Sequence, residues 1–279
     1  MRTIRTAAFL TLDKPEFPKS AYRAQVKSKW VSVIESPGPI FSYLETNPPT
    51  LHAVIMTSKT TIHSYHLLSE IYDPLAAIWS LGHISKSRNE AIKRILNFPD
   101  VLVIGPGTCT GFHDFEKGKC KLTLIDSSPE MLAKNENAWS EEFKNKLTTH
   151  TCDIRSFKPQ KLYDCIWLPY FLNVFSREEV VSLLSTFKSW LKKDGEIHIS
   201  DFMAPDPRRI HRLLQEVWHG LPMAFFHVVT GNAWHSIHDL PKLASAAGLK
   251  EIEIRPTGFG PKDYPWIGNF VCRTPSTNF

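Results

Sequence analysis

Val101-Leu-Val-Ile-Gly-Pro-Gly-Thr-Cys-Thr-Gly111 and the later run Lys121-Leu-Thr-Leu-Ile-Asp126 decide the fold of this chain. Each begins as a short apolar run typical of a buried strand, and a glycine turn and a helical stretch lie between the two. An acidic side chain at the end of the second strand of such a unit can accept hydrogen bonds from both ribose hydroxyls, while the glycine turn lets a nucleoside approach bare backbone. The two stretches therefore predict a site for an adenosine-containing ligand.

The chain beyond this unit alternates between strands and helices. Further apolar runs at strand length are 148–151, 163–168, 195–201, 250–255 and 267–273, and helical runs include 178–191 and 239–247. Short apolar strands separated by helices indicate βαβ units and a parallel sheet. The expected fold class is α/β, a Rossmann-like three-layer αβα sandwich around a seven-stranded sheet, mostly parallel with the last strand antiparallel.

Proline spacing and helical periodicity divide the chain into two parts. Residues 1–58 contain six prolines and no sustained apolar period, so we expect an irregular N-terminal extension. Residues 59–279 form the expected single domain. Within it, the 62–85 stretch is predicted to form helices broken at Pro74, and residues 202–238, rich in histidine and aromatic side chains, are predicted to form a helical lid or insertion.

Composition limits the classes of function. The chain has 279 residues, 42% hydrophobic and 22% charged, with a net charge of +5, an ordinary globular composition. Its basic residues form no dense stripe, so we expect no nucleic-acid partner. No apolar run reaches the roughly 20 residues that span a bilayer, so no transmembrane segment is expected. The five cysteines lack Cys-x-x-Cys spacing, which favours reduced thiols and a cytoplasmic location. Arg2 and Arg5 leave a mitochondrial or other organelle transit peptide as an alternative.

Spacing after the glycine turn discriminates between nucleoside ligands. A dinucleotide site needs a third glycine beside the pyrophosphate, and Thr110 stands at that position. S-adenosylmethionine has no pyrophosphate and needs no such glycine. The spacing favours S-adenosylmethionine, and an NAD-dependent oxidoreductase remains an alternative because Asp126 would suit its ribose equally.

Five motifs in order resemble the class I S-adenosylmethionine-dependent methyltransferases over roughly residues 60–275. They are Val101–Thr108, Leu124–Leu132, His150–Arg155, Tyr163–Tyr170 and Leu191–Ile197. The resemblance implies that the glycines of the first motif lie under the methionine portion, that Asp126 holds the ribose and that Asp153 reaches the adenine amine while Ile154 packs on the ring. The cofactor-binding residues implied in this way are Gly105, Gly107, Thr108, Asp126, Ser127, Met131, Asp153, Ile154 and Leu168.

Within that class, the segments Tyr72–Leu75 and Ser128–Leu132 are most similar to the ubiquinone and menaquinone C-methyltransferase group. The acceptor expected is a small molecule, flat or lipophilic. Two positions depart from the family pattern, because Val103 replaces an acidic residue and Cys109 replaces a glycine. A catalytically inactive scaffold that binds S-adenosylmethionine is therefore a second hypothesis.

A sulfonium methyl group is already activated, so orientation of donor and acceptor supplies much of the catalysis. A base is needed only where the acceptor loses a proton. The candidates are Tyr170, His113 and Asp201, with His235 and His238 in the insertion. The pairs His63 with His66 and His235 with His238 have no further ligand at a suitable spacing, so no metal is expected. The methylated atom and the oligomeric state stay open at this point.

Overall fold

The computed structural model describes residue 74 and residues 76–108, 111–134, 139–230, 235–261 and 264–275. The predicted irregular extension 1–58 and most of the predicted 62–85 helices lie outside these residues. The domain boundary at residue 58 therefore stays a prediction. Residues 76–79, at the end of the second predicted helix, are helical.

Seven strands form one sheet, and helices flank it. The strands are β1 (Asp100–Ile104), β2 (Lys121–Asp126), β3 (Leu147–Thr151), β4 (Tyr163–Pro169), β5 (Leu191–Phe202), β6 (Lys250–Gly258) and β7 (Ile267–Arg273). The helices are α1 (His83–Ile95), α2 (His113–Glu116), α3 (Pro129–Ala133), α4 (Glu141–Lys144), α5 (Arg177–Lys188), α6 (Arg209–Thr230) and α7 (Leu240–Ala246), with a 3₁₀ turn at Leu172–Val174.

Strand order across the sheet is β3-β2-β1-β4-β5-β7-β6. Strands β1 to β5 pair in parallel, and β7 runs antiparallel to both β5 and β6. The predicted fold class is confirmed. The chain runs outward through β1, β2 and β3 and then returns to place β4 beside β1. Such a reversal opens a crevice at the carboxyl ends of β1 and β4, where α/β sheets bind their ligands.

Both faces of the sheet are buried, which accounts for the three layers. Side chains alternate along β1, so Leu102 and Ile104 pack with α5 and α7 residues in one apolar cluster. Val101 and Val103 pack in a second cluster with α1 and α2 residues. Because β1 is buried on both faces, its sequence reads as a continuous apolar run rather than an alternating one.

Several element boundaries differ from the sequence predictions, and three of them lie near the candidate site or in β5. Strand β5 begins at Leu191, four residues before the predicted start, because Leu191 already pairs with Tyr163 and the register shifts over residues 192–195 before Glu196 pairs with Cys165. The helix after β2 is described only over Pro129–Ala133, shorter than the predicted 128–139, and residues 135–138 lie outside the description. Helix α2 begins at His113 instead of near Thr110, after Gly111 at φ 87°.

Candidate functional site

The glycine turn that follows β1 lies at the crevice of the sheet. Gly105 and Gly107 have φ angles of 66° and 60°, in the left-handed region that side chains avoid. The Gly105 amide donates to the Ile125 carbonyl oxygen at 2.8 Å, which ties the turn to β2. A Cβ atom at 105 would lie 2.5 Å from Cδ2 of Phe171, whereas a Cβ at 107 would meet nothing within 4 Å. Phe171 therefore packs directly against Gly105, whereas the space beside Gly107 is free.

This difference predicts separate outcomes for two alanine substitutions. Gly105→Ala combines left-handed strain of about 1–2 kcal/mol with the clash against Phe171, so we expect about 2–4 kcal/mol of destabilisation in urea unfolding. Gly107→Ala carries the backbone strain alone, about 1–2 kcal/mol, yet places a methyl group in the open space. Equal losses of stability in the two variants would contradict this account of the turn.

Asp126 ends β2 directly beside that turn. Its Oδ2 atom accepts from the Gly107 amide at 3.2 Å, and its Oδ1 atom accepts from the Ser128 amide at 3.0 Å. Burial raises the pKa of this carboxyl, against the lowering effect of the backbone hydrogen bonds. A carboxylate has about four acceptor positions, and the amides of Gly107, Ser127 and Ser128 use part of them, so some capacity remains for a ligand hydroxyl. Asp126, the residue that the sequence predicts to bind the ribose, is thus held in place by the backbone and can accept further hydrogen bonds.

The loop after β3 lies next to Asp126, because Asp126 pairs with Thr151 and its carbonyl oxygen accepts from the Cys152 amide at 3.0 Å. Asp153 in this loop is exposed, and its carboxylate accepts from the backbone and side chain of Arg155 at 2.8 and 3.2 Å. Ile154 is only 6% exposed and packs in the core. Asp153 is therefore accessible to a ligand, while Ile154 presents little surface.

The other predicted cofactor residues differ in exposure. Ser127 is exposed beside Asp126, whereas Thr108 and Met131 are buried. Leu168 has no exposed surface and lies in the core cluster with Leu102 and Ile104. Their predicted roles as cofactor contacts stay predictions.

Sequence reasoning missed Arg88 on α1. It is 8% exposed, and its Nη2 atom donates to the Pro106 carbonyl oxygen at 2.9 Å in the middle of the glycine turn. Its buried Nε–H group has no hydrogen-bond acceptor among the described atoms. A guanidinium with an unpaired donor beside the turn suits an anionic group of a ligand. Its position in a helical run far from any motif gave no signal in the sequence.

Tyr170 follows β4 at the same edge. Its φ of 55° is unusual for a residue with a side chain, and its amide donates to the Ser200 carbonyl oxygen at 2.7 Å. The Tyr170 hydroxyl lies 2.6 Å from Oγ of Ser87 on α1. The Ser87 carbonyl oxygen in turn accepts from Asn269 on β7 at 3.0 Å. This network holds the tyrosine between α1 and the sheet, and strained backbone of this kind is frequent at functional sites.

Asp201 lies near the end of β5 and is 4% exposed. Its Oδ1 atom accepts from the Phe202 amide at 2.8 Å and from Nδ2 of Asn173 at 3.3 Å, whereas its buried Oδ2 atom has no donor among the described residues. Burial raises the pKa of this carboxyl to about 7. It lines a cavity of about 10 Å³, enough for about one water, together with Ile199, Phe202, Met203, Ala204, Leu240, Pro241, Gly268 and Phe270.

Asn173, which donates to Asp201, also contacts a histidine of the insertion. Nε2 of His235 hydrogen-bonds to the Asn173 carbonyl oxygen at 2.9 Å, and the His235 and His238 rings stack at 4.0 Å. Burial and neighbouring imidazoles lower the pKa of His219 and of His238 to about 4, so both are neutral at pH 7. The structure thus brings Asp201, His235 and His238 together, while His113 is exposed at the start of α2.

The insertion contributes an aromatic wall beside Asp201. Trp218 on α6 stacks on Trp79 at 4.0 Å, and it lies 5.7 Å from Phe202 and 4.6 Å from Phe259, measured between ring centroids. Phe202 in turn lies 5.7 Å from the Tyr170 ring. The carboxyl edge of β4 and β5 is therefore apolar and aromatic around a few polar groups, the composition of a small-molecule site.

Over the described part of the chain, no three His, Cys, Asp or Glu side chains converge as metal ligands. His63 and His66 lie outside the description, so the expectation of no metal stays a prediction. The described helices include none that is both long and apolar enough to cross a bilayer.

Comparison with known proteins gives the following matches. Residues 101–195 match a family model described as a methyltransferase domain. N-terminal Xaa-Pro-Lys N-methyltransferase 1 of Danio rerio is 29% identical over 82 residues, which are 29% of this chain and 37% of that relative. The match thus spans little more than a third of the curated relative.

Solved structures share the fold at low identity. A complex of DhpI with SAH has a TM-score of 0.55 at 13% identity, covering 78% of this chain and 97% of that one. Human N-acetylserotonin methyltransferase in complex with SAM has a TM-score of 0.55 at 15% identity, covering 84% and 62%. Mitomycin 7-O-methyltransferase MmcR has a TM-score of 0.53 at 16% identity, covering 76% and 60%.

Residues 101–195 therefore match a methyltransferase domain, and the chain shares its fold with proteins solved in complex with SAM or SAH. The predicted enzyme class is confirmed at this level, and the matches favour it over the NAD-dependent oxidoreductase.

Proposed function

We propose that the chain transfers the methyl group of S-adenosylmethionine to a small acceptor that is flat or lipophilic. The observation that carries this proposal is the pairing of Asp126 with the left-handed turn at Gly105 and Gly107, inside the segment that matches a methyltransferase domain. Open space over Gly107 and the remaining acceptor capacity of Asp126 fit a nucleoside at this edge.

On the donor side, each residue has a separate task. S-adenosylmethionine supplies an activated methyl group when bound. Asp126 holds the ribose hydroxyls, the exposed Asp153 carboxylate accepts from the adenine amine, and Thr108, Ser127, Met131, Ile154 and Leu168 complete the surroundings. Arg88, which contacts the turn through Nη2, would be the cation available to the methionine carboxylate. This arrangement fixes the direction of the methyl group, and such orientation contributes several kcal/mol to catalysis.

On the acceptor side, the aromatic wall and Tyr170 form the surface for an apolar ring. Where the acceptor atom carries a proton, Asp201 takes it. Bound S-adenosylmethionine would supply the methyl group and retain the electron pair of the broken carbon–sulfur bond on its sulfur, and Oδ2 of Asp201 would accept the proton of the acceptor. A pKa of about 7 suits a base that works near neutral pH. Tyr170 orients the acceptor, and the exposed His113 has less geometric support than either.

The proposal also covers the enzyme group, the methylated atom and the cellular location. The Ser128–Leu132 run and the aromatic wall support a place among enzymes similar to the ubiquinone and menaquinone C-methyltransferases. The similar proteins include an N-methyltransferase and an O-methyltransferase, so the methylated atom is left open between carbon, oxygen and nitrogen. We place the protein in the cytoplasm on its cysteine usage.

A second candidate is an inactive scaffold that binds S-adenosylmethionine without turnover. Val103 favours it, because this side chain has no exposed surface and packs among apolar residues where the family pattern has an acid.

The two candidates differ in one experiment. Calorimetry with S-adenosylmethionine and its demethylated product is expected to give micromolar dissociation constants, about −8 kcal/mol. Incubation with methyl-labelled donor and a cell extract is then expected to label a small molecule of the organic phase. Binding without label transfer would favour the scaffold, and absence of binding to either ligand would exclude both candidates.

A further inference from the structure

We propose that the outer face of α6 docks on the surface of an anionic lipid bilayer. The proposal does not depend on methyl transfer, since it rests on the exposed side chains of this helix. If the proposed function also holds, the bilayer would deliver a lipophilic acceptor to the inner face of the same helix.

An apolar stripe runs along the exposed side of α6. Its five members are the exposed aliphatic residues between positions 210 and 221, Ile210 (75% exposed), Leu213 (64%), Leu214 (54%), Val217 (57%) and Leu221 (67%). Their spacing of three and four residues places them on one face of the helix. A contiguous exposed stripe of this kind marks an interaction surface, whereas single exposed apolar residues are ordinary.

The opposite face of α6 already packs against the domain. Gln215, His219 and Met223 are at most 6% exposed, and Trp218 belongs to the aromatic wall. A surface helix normally turns charged side chains outward once its inner face is packed. Helix α6 instead turns aliphatic side chains outward, so its outer face needs a partner.

Charge at the start of the helix indicates which partner. Arg209 and Arg212 are exposed in the first turn, and the nearby Asp206 is buried and paired with Arg208 at 2.7 Å. The positive end of the helix dipole lies in the same turn. Cations beside an exposed aliphatic stripe are the pattern of helices that lie in the interface of anionic membranes.

Two further exposed aliphatic side chains lie on the segment before α1. Ile78 and Leu81 are each 74% exposed, and Trp79 between them stacks on Trp218 of α6. A bilayer surface accommodates such an extended apolar area. A second copy of the chain fits less well, because the α6 stripe is about 16 Å long and one helix wide, small beside the roughly 800 Å² per partner of a stable interface.

The test uses the full chain and sedimentation with vesicles. Vesicles of phosphatidylcholine with phosphatidylglycerol at about 7:3 are expected to bind the protein at least about tenfold more strongly than phosphatidylcholine alone. The double variant Leu213→Glu/Val217→Glu is expected to lose this binding, and Arg209→Gln is expected to reduce the preference for the anionic lipid. Leu162→Glu, at a 47% exposed position before β4, is the matched control and should bind like the parent chain.

Three outcomes would overturn the proposal. These are no binding to the anionic vesicles, binding that the double variant retains, and equal loss in Leu162→Glu. Light scattering tests the alternative that a second copy of the chain covers the stripe. That alternative would hold if the parent chain does not bind vesicles and the double variant has a lower molar mass in solution than the parent chain. Circular dichroism and calorimetry with S-adenosylmethionine on each variant separate loss of the membrane contact from unfolding and from failure of the proposed function.

Discussion

Replacing Asp126 by alanine is expected to weaken the binding of S-adenosylmethionine by at least about 100-fold. Two hydrogen bonds from ribose hydroxyls to a carboxylate contribute about 1.5–3 kcal/mol each, and every 1.4 kcal/mol is a factor of ten. The substitution also removes the acceptor for the Gly107 and Ser128 amides, so the turn loses its support. Calorimetry with the demethylated product measures the effect without a methylation assay.

Two further variants test whether the loss of binding comes from the Asp126 carboxylate itself. Asp126→Asn preserves the shape and one acceptor oxygen, so it should lose less than the alanine variant. Asp114→Ala removes a half-buried carboxylate that pairs with Lys117, and it should bind like the parent chain. An unchanged dissociation constant in Asp126→Ala would place the nucleoside elsewhere and remove the main support for the proposed function.

The sequence predicted Asp126 and the glycine turn because both depend on local features. A buried strand, a turn that only glycine tolerates and an acid at the next strand end all lie within 26 residues, from Val101 to Asp126. The topology of the sheet then followed from the alternation of strands and helices. The start of β5 was missed because Leu191 joins the strand by pairing with Tyr163, a contact across the sheet.

Side chains that act across the fold were harder to predict. Arg88 reaches the turn from α1, and Asn173 joins Asp201 to His235 from the loop after β4. Neither belongs to a motif, and their partners lie 18 or more residues away along the chain. Asp201 was named as a candidate from its place at a strand end. Its unpaired Oδ2 atom depends on burial by several elements, which no local pattern encodes.

The buried carboxyl of Asp201 leads to the second large effect, a change in stability with pH. Its pKa is raised from 3.8 to about 7, so the folded chain holds this proton more tightly than the unfolded chain. The contribution of the protonated Asp201 carboxyl to the free energy of unfolding is therefore fully present below pH 3.8 and is lost as the pH rises through 7. The span of about three pH units corresponds to about 4 kcal/mol.

Asp201→Asn removes that titration and keeps the size of the side chain. Relative to the parent chain, its free energy of unfolding in urea is expected to rise by up to about 4 kcal/mol between pH 4 and pH 8. Asp114→Asn, at a half-buried position beside Lys117, should show no such rise. A difference between Asp201→Asn and the parent that stays constant with pH would mean that Asp201 is ionised throughout this range, and a carboxylate of ordinary acidity would be a poor base for the proposed proton transfer.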